Sequence, residues 1–589
     1  MPKVLEKPTY TAAHGYNGFP LRSSLQFSSA LGQLLPVWWH YLQPGDKVNC
    51  KSAIITRSTP LQSSAMVDIA EHIDWFFVPM EQMFKLFQHI LFGVDDIHSS
   101  MVDPDHVANQ YPFTDTREIL NYLLVDEHKL DYFGYSRKAN SVRLMQLLGY
   151  DVTPLLAEVA NSGFVYDLIP QDCIIARSLW SALAYQKIYH THYRLSDREV
   201  NNRKAYNLDA YYDTVDPVTS DWLVNIFELH YRPIRKDFFH GGFVSPLIGS
   251  ENIGMLRSFN DNDFRFANSF FRQYLETGDS VSVDNSGGYS SDEVTTVQLG
   301  STSLANLRQS FALEKLLEIT RRAGKHIDEQ TLAHFGVKVP QGISNEAYFL
   351  GSHDSEVVIG DVISTAGTDS DPLGQVVGKA YNKSKNFDVQ GFEAKTHGVL
   401  MAIYSSDVPL HYTPDMCDRL NTFVNPSDFY MPEFDDLGMQ PIFTYQGKMA
   451  YDFTGDHLDP TVYDRNRVQD WTYRYWELKL KYNRTCGTMY GNLNMWTVQR
   501  DGYNYMDLSN QWTFGLANYL VCPNFLDDIM LVGFDSNLTV FSEEEDEHMK
   551  YSIGEDWYEE IFSRDPLFHD LFIDVELASK MSTYGLPSL

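Results

Sequence analysis

The first part of the chain carries three extended apolar runs. Residues 34–42 (LLPVWWHYL) and 47–57 (KVNCKSAIITR) are rich in Val, Ile, Trp and Thr, and they flank a turn sequence, Pro44-Gly45-Asp46. A third run, HIDWFFVPM, spans His72–Met80, and Pro79 marks its end because proline cannot donate to a strand ladder. The pattern predicts three early strands and therefore a β-sandwich or barrel.

From Glu81 to about Arg203 the apolar residues recur at spacings of three and four, which is typical of helices. One predicted amphipathic helix places five apolar side chains on one face: Met83, Leu86, Phe87, Ile90 and Leu91. The segment Ala176–Arg203 predicts a second long amphipathic helix. We expect extended structure to return over Trp222–Leu247.

The stretch 248–300 is polar and rich in Gly, Ser and Asp, and it predicts a surface insertion. Ser303 then caps a predicted helix, LANLRQSFALEKLLEITRRAG, which ends at Gly324. Arg321 and Arg322 in its last turn, with Lys325, are candidate phosphate contacts. Compensation of the helix C-terminal charge explains the same residues equally well.

The chain has 589 residues, a formal net charge of −32 and 14% aromatic residues. This charge argues against a surface that binds nucleic acid throughout, although it permits a locally basic face. The acidic run Glu543–Glu547 is interpreted as a solvated loop, or alternatively as an element that keeps like surfaces apart.

The cysteines form no CxxC pair, and we expect buried, reduced thiols at Cys50, Cys173, Cys417, Cys486 and Cys522. The N-terminus lacks the apolar core of a secretory signal, and no apolar run reaches the length of a membrane span. We therefore expect a soluble protein that is made and assembled in a reducing cytoplasm, without a membrane.

Motifs of known chemistry are missing: the sequence has no GxSxG, GxxxxGK[ST], GxGxxG or HExxH. His190 and His192 are interpreted as packed or surface residues, because no third metal ligand has suitable spacing. Four acids resemble fragments of calcium loops but lack the bidentate Glu, so we interpret them as solvated turns: Asp261, Asp263, Asp369 and Asp371. No cofactor is expected.

One enzymatic alternative stays open. Glycoside hydrolases combine aromatic platforms with two catalytic carboxylates, and no linear motif need mark them. The aromatic and acidic content permits a carbohydrate-active enzyme or a glycan-binding β-sandwich, but nothing singles out two carboxylates among the 78 acids.

Several collinear segments between about residue 33 and residue 589 resemble the major capsid proteins of microviruses, the small icosahedral single-stranded DNA phages. The resemblance is closest to gokushovirus-like and Bacteroidetes-associated members. The segments are LLPVWWHYLQPGDKVN, EHIDWFFVPMEQMFKLF, ALAYQKIYHTHYR, HYRPIRKDFFHGGFVSPL, SLANLRQSFALEKLLEITRRAGKHIDEQTLAHFGV, EAYFLGS, HGVLMAIYS, FYMPEFDDLGMQPI, DWTYRYWELKLKYNRTCGTM and the C-terminal DPLFHDLFIDVELASKMSTYGLPSL. Residues 248–300 and 535–560 depart from the family pattern.

The resemblance implies a mainly β fold: a single eight-stranded antiparallel jelly roll with long, partly helical insertions and extended terminal arms. The expected organisation is an N-terminal arm (1–25), first strands (26–80), a largely helical insertion (81–205), a strand segment (206–247), a variable surface insertion (248–300), a helix with the remaining strands and long loops (301–525), and a C-terminal acidic loop and tail (526–589).

The resemblance also implies a structural protein rather than an enzyme. Sixty copies would form a T=1 shell around a circular single-stranded DNA genome, with pentamers as intermediates. Assembly is expected in the bacterial host cytoplasm. Because the chain is so acidic, a separate small basic DNA-packaging protein is expected as a partner. A scaffolding protein and a host surface receptor complete the expected partners.

Candidate site residues follow from the same resemblance. A threefold protrusion that contributes to host attachment is expected at Tyr274, Asp279, Asp284, Gly287, Gly288 and Tyr289, with a subunit clasp as the alternative role. Inner-face DNA contacts are expected at Arg321, Arg322 and Lys325. The C-terminal tail is expected to lie along neighbouring subunits or the inner wall through Leu571, Phe572, Tyr584 and Leu586.

Overall fold

The computed structural model describes residues 15–59, 66–92, 111–124, 137–150, 152, 175–211, 217–244, 315–320, 322–323, 327–338, 346–363, 376–381, 388–414, 418–435, 438–443, 446, 453–454, 457–458, 468–493, 496–500, 514–526, 529–530, 541–542, 552–553 and 565–581. The chain divides into two compact units: residues 1–244 with 341–589, and residues 245–340.

Strands dominate the first unit. They are β1 (Asn17–Ser29), β2 (Leu35–Leu42), β3 (Lys47–Ser58), β4 (Ile69–Pro79), β5 (Phe113–Asp115), β6 (Ala176–Ser178), β7 (Tyr348–Ile363), β8 (Val376–Tyr381), β9 (Val389–Glu393), β10 (Gly398–Asp407), β11 (His411–Tyr412), β12 (Met439–Phe443), β13 (Phe453–Thr454), β14 (His457–Leu458), β15 (Val468–Tyr473), β16 (Gln499–Arg500), β17 (Phe541–Ser542), β18 (Ser552–Ile553) and β19 (Leu567–Ser579).

Helices lie mainly in the insertions between strands. The α-helices are α1 (Met80–Met83), α2 (Phe87–Phe92), α3 (Thr116–Leu124), α4 (Arg137–Leu148), α5 (Trp180–Ile188), α6 (Ser220–Ile226), α7 (Ile327–Phe335), α8 (Pro432–Asp435), α9 (Trp476–Lys479) and α10 (Phe514–Ala517). A π-helical turn covers Tyr189–Tyr193, and 3₁₀ turns cover Arg203–Ala205, Asp209–Tyr211, Arg419–Thr422, Pro426–Asp428, Gly487–Met489 and Pro523–Leu526.

The first sheet has four antiparallel strands in the order β1-β19-β3-β9. β1 pairs with β19 along its whole length, from Asn17 opposite Ser579 to Ser29 opposite Leu567. Buried and exposed residues alternate along β19, with Leu571 inside and Phe572 outside. This period of two is that of a strand with one face on the core and one face in solvent.

The second sheet has the order β2-β10-β4-β7-β8, again antiparallel. All ten residues of β10 are buried. Helices α4 and α5 pack against this sheet: Trp39 Nε1 donates to the Leu148 carbonyl at 3.1 Å, and Tyr185 OH donates to the Leu34 carbonyl at 2.9 Å. Because these helices cover the outer face of β2, β10 and β4, these three strands carry continuous apolar runs instead of alternation.

The two sheets face each other across one large apolar core. Phe27 of β1 and Tyr404 of β10 meet edge to face with ring centroids 5.2 Å apart. The same cluster of buried residues joins both sheets to the covering helices and includes Val48, Trp75, Leu183 and Leu571. The chain is therefore mainly β, with antiparallel sheets in the arrangement of a β-sandwich.

The predicted early strands are confirmed by β2, β3 and β4. The predicted turn between β2 and β3 is also present, with Gly45 at a φ of 94°. A residue with a Cβ atom would be strained in that left-handed conformation.

The helical predictions need correction in three places. The single helix expected after Glu81 is two short helices, α1 and α2, because Phe84 between them is extended. The long amphipathic helix expected over 176–203 ends within the π-helical turn, and all nine residues of α5 are buried. Trp222, expected in extended structure, lies in α6. Because α5 is buried on all sides, it lacks the polar face that the prediction of an amphipathic helix assumed.

The expected N-terminal arm also needs correction. Residues 17–25 lie in β1 and are paired within the same chain to β19, so they need no partner subunit for order.

The second unit contributes short helical elements. Residues 315–320 and helix α7 are connected by two hydrogen bonds: Gln330 Nε2 donates to the Thr320 carbonyl at 2.8 Å, and Thr320 Oγ1 lies 3.0 Å from His334 Nε2. The predicted helix beginning at Ser303 is thus observed in its later part, while its start lies outside the described residues.

Candidate functional site

A cluster of polar side chains lies buried between the two sheets. Glu71 of β4 accepts hydrogen bonds from Thr56 Oγ1 of β3 at 2.5 Å and from Tyr404 OH of β10 at 2.9 Å. His569 of β19 lies 2.9 Å from Thr56 Oγ1 through Nδ1 and 2.7 Å from Ser29 Oγ through Nε2. Each of the five residues comes from a different strand.

This inter-sheet cluster contains residue types found in catalytic sites, but its chemistry is that of a structural contact. Burial alone raises the pKa of Glu71, yet the hydrogen bond and charge of His569 outweigh burial and lower it. The side chains of Glu71 and His569 are both 0% exposed, so no substrate reaches them. The paired charge and hydrogen bonds instead connect the sheets.

Two arginines connect the covered second sheet to the segment after α6. Arg235 donates to both carboxylate oxygens of Asp407, at 2.6 Å from Nε and 2.7 Å from Nη2. Arg232 Nη1 donates to Ser405 Oγ at 2.6 Å. Burial alone raises the pKa of Asp407, whose side chain is 1% exposed, but the hydrogen bonds from His72 and Arg235 lower it to about 2.

A cavity of about 150 Å³ lies beside this ion pair and is open to solvent. Asp407 and Asp237 both line it. Burial alone raises the pKa of Asp237, but the hydrogen bond and charge of His240 lower it overall. A glycosidase needs one carboxylic acid with a raised pKa and one ionised carboxylate. The lowered pKa values of Asp237 and Asp407 fit only the second role, so this pair does not supply the general acid.

The histidine pair at 190 and 192 lies in the π-helical turn. His190 is buried, and burial, together with the charges of Arg194 and Lys187, lowers its pKa to about 4. His192 Nε2 lies 2.8 Å from the Ala347 carbonyl, and its ring packs on Phe76. Within the described parts of the chain, no group of three or more His, Cys, Asp or Glu side chains could hold a metal ion.

The cysteines follow the expectation only in part. Cys50 is buried, and burial raises the pKa of its thiol. Cys486 is exposed, which corrects the expectation of burial, and Cys522 is intermediate; Cys173 and Cys417 lie outside the described residues.

An apolar loop with backbone hydrogen bonds to Asp428 and Tyr475 is exposed at residues 423–431. The Asp428 carboxylate accepts hydrogen bonds from the backbone of Val424 at 3.0 Å and of Asn425 at 2.8 Å. Tyr475 OH donates to the Phe429 carbonyl and accepts from the Met431 amide, both at 3.2 Å. Four large apolar side chains are nevertheless exposed: Val424, Phe429, Tyr430 and Met431. Sequence reasoning did not single out this loop, although its apolar letters interrupt a polar context.

The residues predicted for the protrusion lie outside the described residues: Tyr274, Asp279, Asp284, Gly287, Gly288 and Tyr289. Arg321 and Lys325 lie outside them as well. Arg322 is described, and its guanidinium pairs with Glu318 one turn earlier in the chain. That pairing offsets part of its charge, and a phosphate contact there stays a prediction.

The C-terminal tail differs from the expectation. Leu571 is fully buried inside its own chain, because β19 lies between β1 and β3. Leu571 therefore needs no neighbouring subunit for its burial. Phe572 points to the opposite face and is 48% exposed. Tyr584 and Leu586 lie outside the described residues. The alternating letters LFHDLFIDVELAS were the signal of a sheet strand.

Comparison with known proteins identifies the family. The family model of the capsid protein (F protein) matches residues 20–149 and 177–510, and these ranges include most strands of both sheets. The chain belongs to this capsid protein family. Capsid protein VP1 of Chlamydia phage 1 is 22% identical over 582 residues, covering 86% of this chain and 89% of that protein. The resemblance to microvirus major capsid proteins is thereby confirmed.

Family membership gives this capsid protein a structural role, self-association in a capsid, and a place in the virion. These properties agree with polar clusters that are buried and internally paired. Among the described residues, no helix is long and apolar enough to cross a bilayer.

Proposed function

We propose that this capsid protein assembles as sixty copies into a T=1 icosahedral shell that encloses a circular single-stranded DNA genome. The observation that carries the proposal is the order of the strands in the two large sheets of a protein of the capsid family. With the edge strand β8 left out, the strands of these sheets are numbered one to eight along the chain: β1, β2, β3, β4, β7, β9, β10 and β19.

In that numbering the first sheet has the order 1-8-3-6 and the second the order 2-7-4-5, with β8 added at the edge. This order matches an eight-stranded jelly roll, a fold used by many viral capsid proteins. It supports the proposal that the chain is one jelly roll with long insertions.

We further propose that the apolar loop 423–431 contacts a second copy of this chain. Large aromatic side chains are enriched at protein interfaces, and this loop is already ordered by Asp428 and Tyr475. Its order before association reduces the entropy lost on binding. Its only charged side chain, Asp428, is occupied by backbone amides of the loop itself.

The remaining roles rest on the family resemblance. The insertion 248–300, with Tyr274, Asp279, Asp284, Gly287, Gly288 and Tyr289, projects outward and contributes to host attachment. Arg321, Arg322 and Lys325 contact packaged DNA on the inner face. Residues 582–589 contact neighbouring subunits. A small basic packaging protein and a scaffolding protein assist assembly in the bacterial host cytoplasm, through pentamers.

Negative-stain microscopy and sedimentation of the purified chain test the assembly. Closed particles of megadalton mass are expected, whereas a small oligomer without particles would contradict the proposal. The double variant Phe429→Ala/Tyr430→Ala should reduce the particle fraction strongly, since interface aromatics can each contribute about 2 kcal/mol or more. Val200→Ala, at an isolated and highly exposed position, is the matched control.

Deletion of residues 280–292 tests the attachment role. Particles of the deletion variant should form normally and adsorb to host cells more weakly. Unchanged adsorption by intact particles would leave the insertion without a receptor role, and lost assembly would identify it as a subunit clasp.

A further inference from the structure

The outer face of the first sheet carries two exposed phenylalanines. Phe568 and Phe572 of β19 point away from the core, and each ring-bearing side chain is 48% exposed. They lie four positions apart on one strand, a distance of about 14 Å. Their spacing therefore places two accessible rings in line along the sheet.

Small neighbours leave these rings accessible. In the strand register, Phe572 lies between Ser24 of β1 and Ala53 of β3. Phe568 lies between Ser28 and Arg57. No bulky side chain in these pairs covers the Phe572 ring, so a flat aromatic group could stack on it.

Charged side chains of both signs surround the rings. Arg22 and Lys51 flank Asp574 in the row next to Phe572, and Arg22 Nε lies 3.1 Å from the Asp574 carboxylate. The sheet face carries four cations, Arg22, Lys47, Lys51 and Arg57, and four carboxylates, Glu393, Asp570, Asp574 and Glu576. Lys395 and Lys580 follow β9 and β19 at the lower margin of the face.

This charge balance differs from that of the whole chain. Cations and carboxylates are equal in number on this face, while the chain carries a net charge of −32. At the lower margin Lys47 and Lys580 lie over the ring of Tyr16, 5.4 and 5.8 Å from its centroid, and Tyr16 is itself exposed. Exposed rings and cations thus recur together along the face.

We infer that this face binds single-stranded DNA, with bases stacked on Phe568 and Phe572 and phosphates near the surrounding cations. Proteins that bind single strands without sequence preference combine these two features. The inference rests on the proposed function, because the enclosed genome would supply the single strand. Asp570 lies between the two rings, and its charge opposes the binding of phosphate. Removing this charge should therefore strengthen binding, whereas the other substitutions on this face should weaken it.

The test measures fluorescence anisotropy of a labelled oligothymidine with the full chain over a range of NaCl concentrations. Phe568→Ala/Phe572→Ala should weaken binding at least tenfold. Lys51→Gln/Arg57→Gln should weaken it and make the salt dependence shallower. Asp570→Asn should strengthen binding about twofold to threefold by removing a charge that repels phosphate.

Two matched controls use exposed residues elsewhere. Phe349→Ala removes a ring that is 49% exposed on β7 of the second sheet, and Lys85→Gln removes one exposed cation. Both should bind the oligonucleotide as the unaltered chain does. A duplex of equal length should bind more weakly than the single strand, because its bases are not available to the rings.

Equal affinity of the Phe568→Ala/Phe572→Ala variant and the unaltered chain would overturn the inference. So would a variant that keeps oligonucleotide affinity but no longer forms particles, because the face would then be a subunit contact. Microscopy of the same preparations separates this result from the proposed function. If particles form normally but DNA binding does not depend on Phe568 and Phe572, only the inference about this face is refuted. If the unaltered chain never forms particles, the proposed shell is refuted.

Discussion

The two sheets of this capsid protein bury their inner faces in the same core but differ in their outer faces. In the second sheet, β2, β10 and β4 are covered by α4 and α5 of the same chain, and β10 is buried on both sides. The first sheet exposes alternate residues of β1, β3 and β19. From this difference we expect side chains of the covered sheet to contribute more to the stability of the fold. The outer face of the exposed sheet is accessible to a partner.

The truncation with the largest expected effect tests whether the exposed sheet is essential to the fold. Truncation after Arg564 removes β19 and leaves the edges of β1 and β3 without their shared partner. We expect loss of cooperative folding, rather than soluble subunits, measured as loss of a thermal transition by circular dichroism. Truncation after Met581 keeps β19 and is the control. A cooperative transition in the shorter chain would contradict the central role of β19.

A smaller effect on stability is expected from single substitutions, one in a helix that covers the second sheet and one on the exposed face of the first. Leu183→Ala in α5 removes a buried side chain and should destabilise the protein by about 2–5 kcal/mol. Phe572→Ala on the exposed face should change stability by no more than about 0.5 kcal/mol. Urea unfolding measures both. Similar losses would mean that the exposed face contributes to stability as much as the covered one.

The smallest effect concerns pH and the covered sheet. The pKa of Asp407 lies near 2, below its ordinary value, so its ion pair stabilises the fold fully above about pH 4. This contribution, about 2 kcal/mol, is lost as pH falls from about 4 to 2. Asp407→Asn should remove that part of the acid dependence in urea unfolding.

Asp570→Asn, on the exposed sheet, is the comparison for this acid dependence. It should leave the pH profile of stability close to that of the unaltered chain. A profile for Asp407→Asn that follows the unaltered chain between pH 4 and 2 would show that the ion pair does not contribute.

Local patterns predicted part of the fold well. β2, β3 and β4 followed from apolar runs, a turn sequence and a proline, all of which act within a few residues. The letters of β19 also alternate with a period of two, but no strand was predicted there, and Leu571 and Phe572 were expected along neighbouring subunits or the inner wall. The pattern of a strand records that one face is buried but not which chain buries it.

The buried polar cluster could not be predicted at all. Thr56 and His569 are 513 residues apart in the chain and meet across 2.9 Å. The sequence around Thr56 and the sequence around His569 contain no pattern that predicts this contact. The candidate DNA face escaped prediction for the same reason, because its cations come from β1 and β3 and its rings from β19.

The sequence by itself determined the family, the early strands and the acidic balance, because collinear motifs, apolar runs and charge are readable along the chain. Only the tertiary structure decided that β19 pairs between β1 and β3, and that one sheet is covered while the other is exposed. Strands pair through backbone hydrogen bonds, which nearly every residue can form. The amino-acid sequence therefore gives little information about which distant strands pair. Where the helices pack determines which side chains remain on the surface.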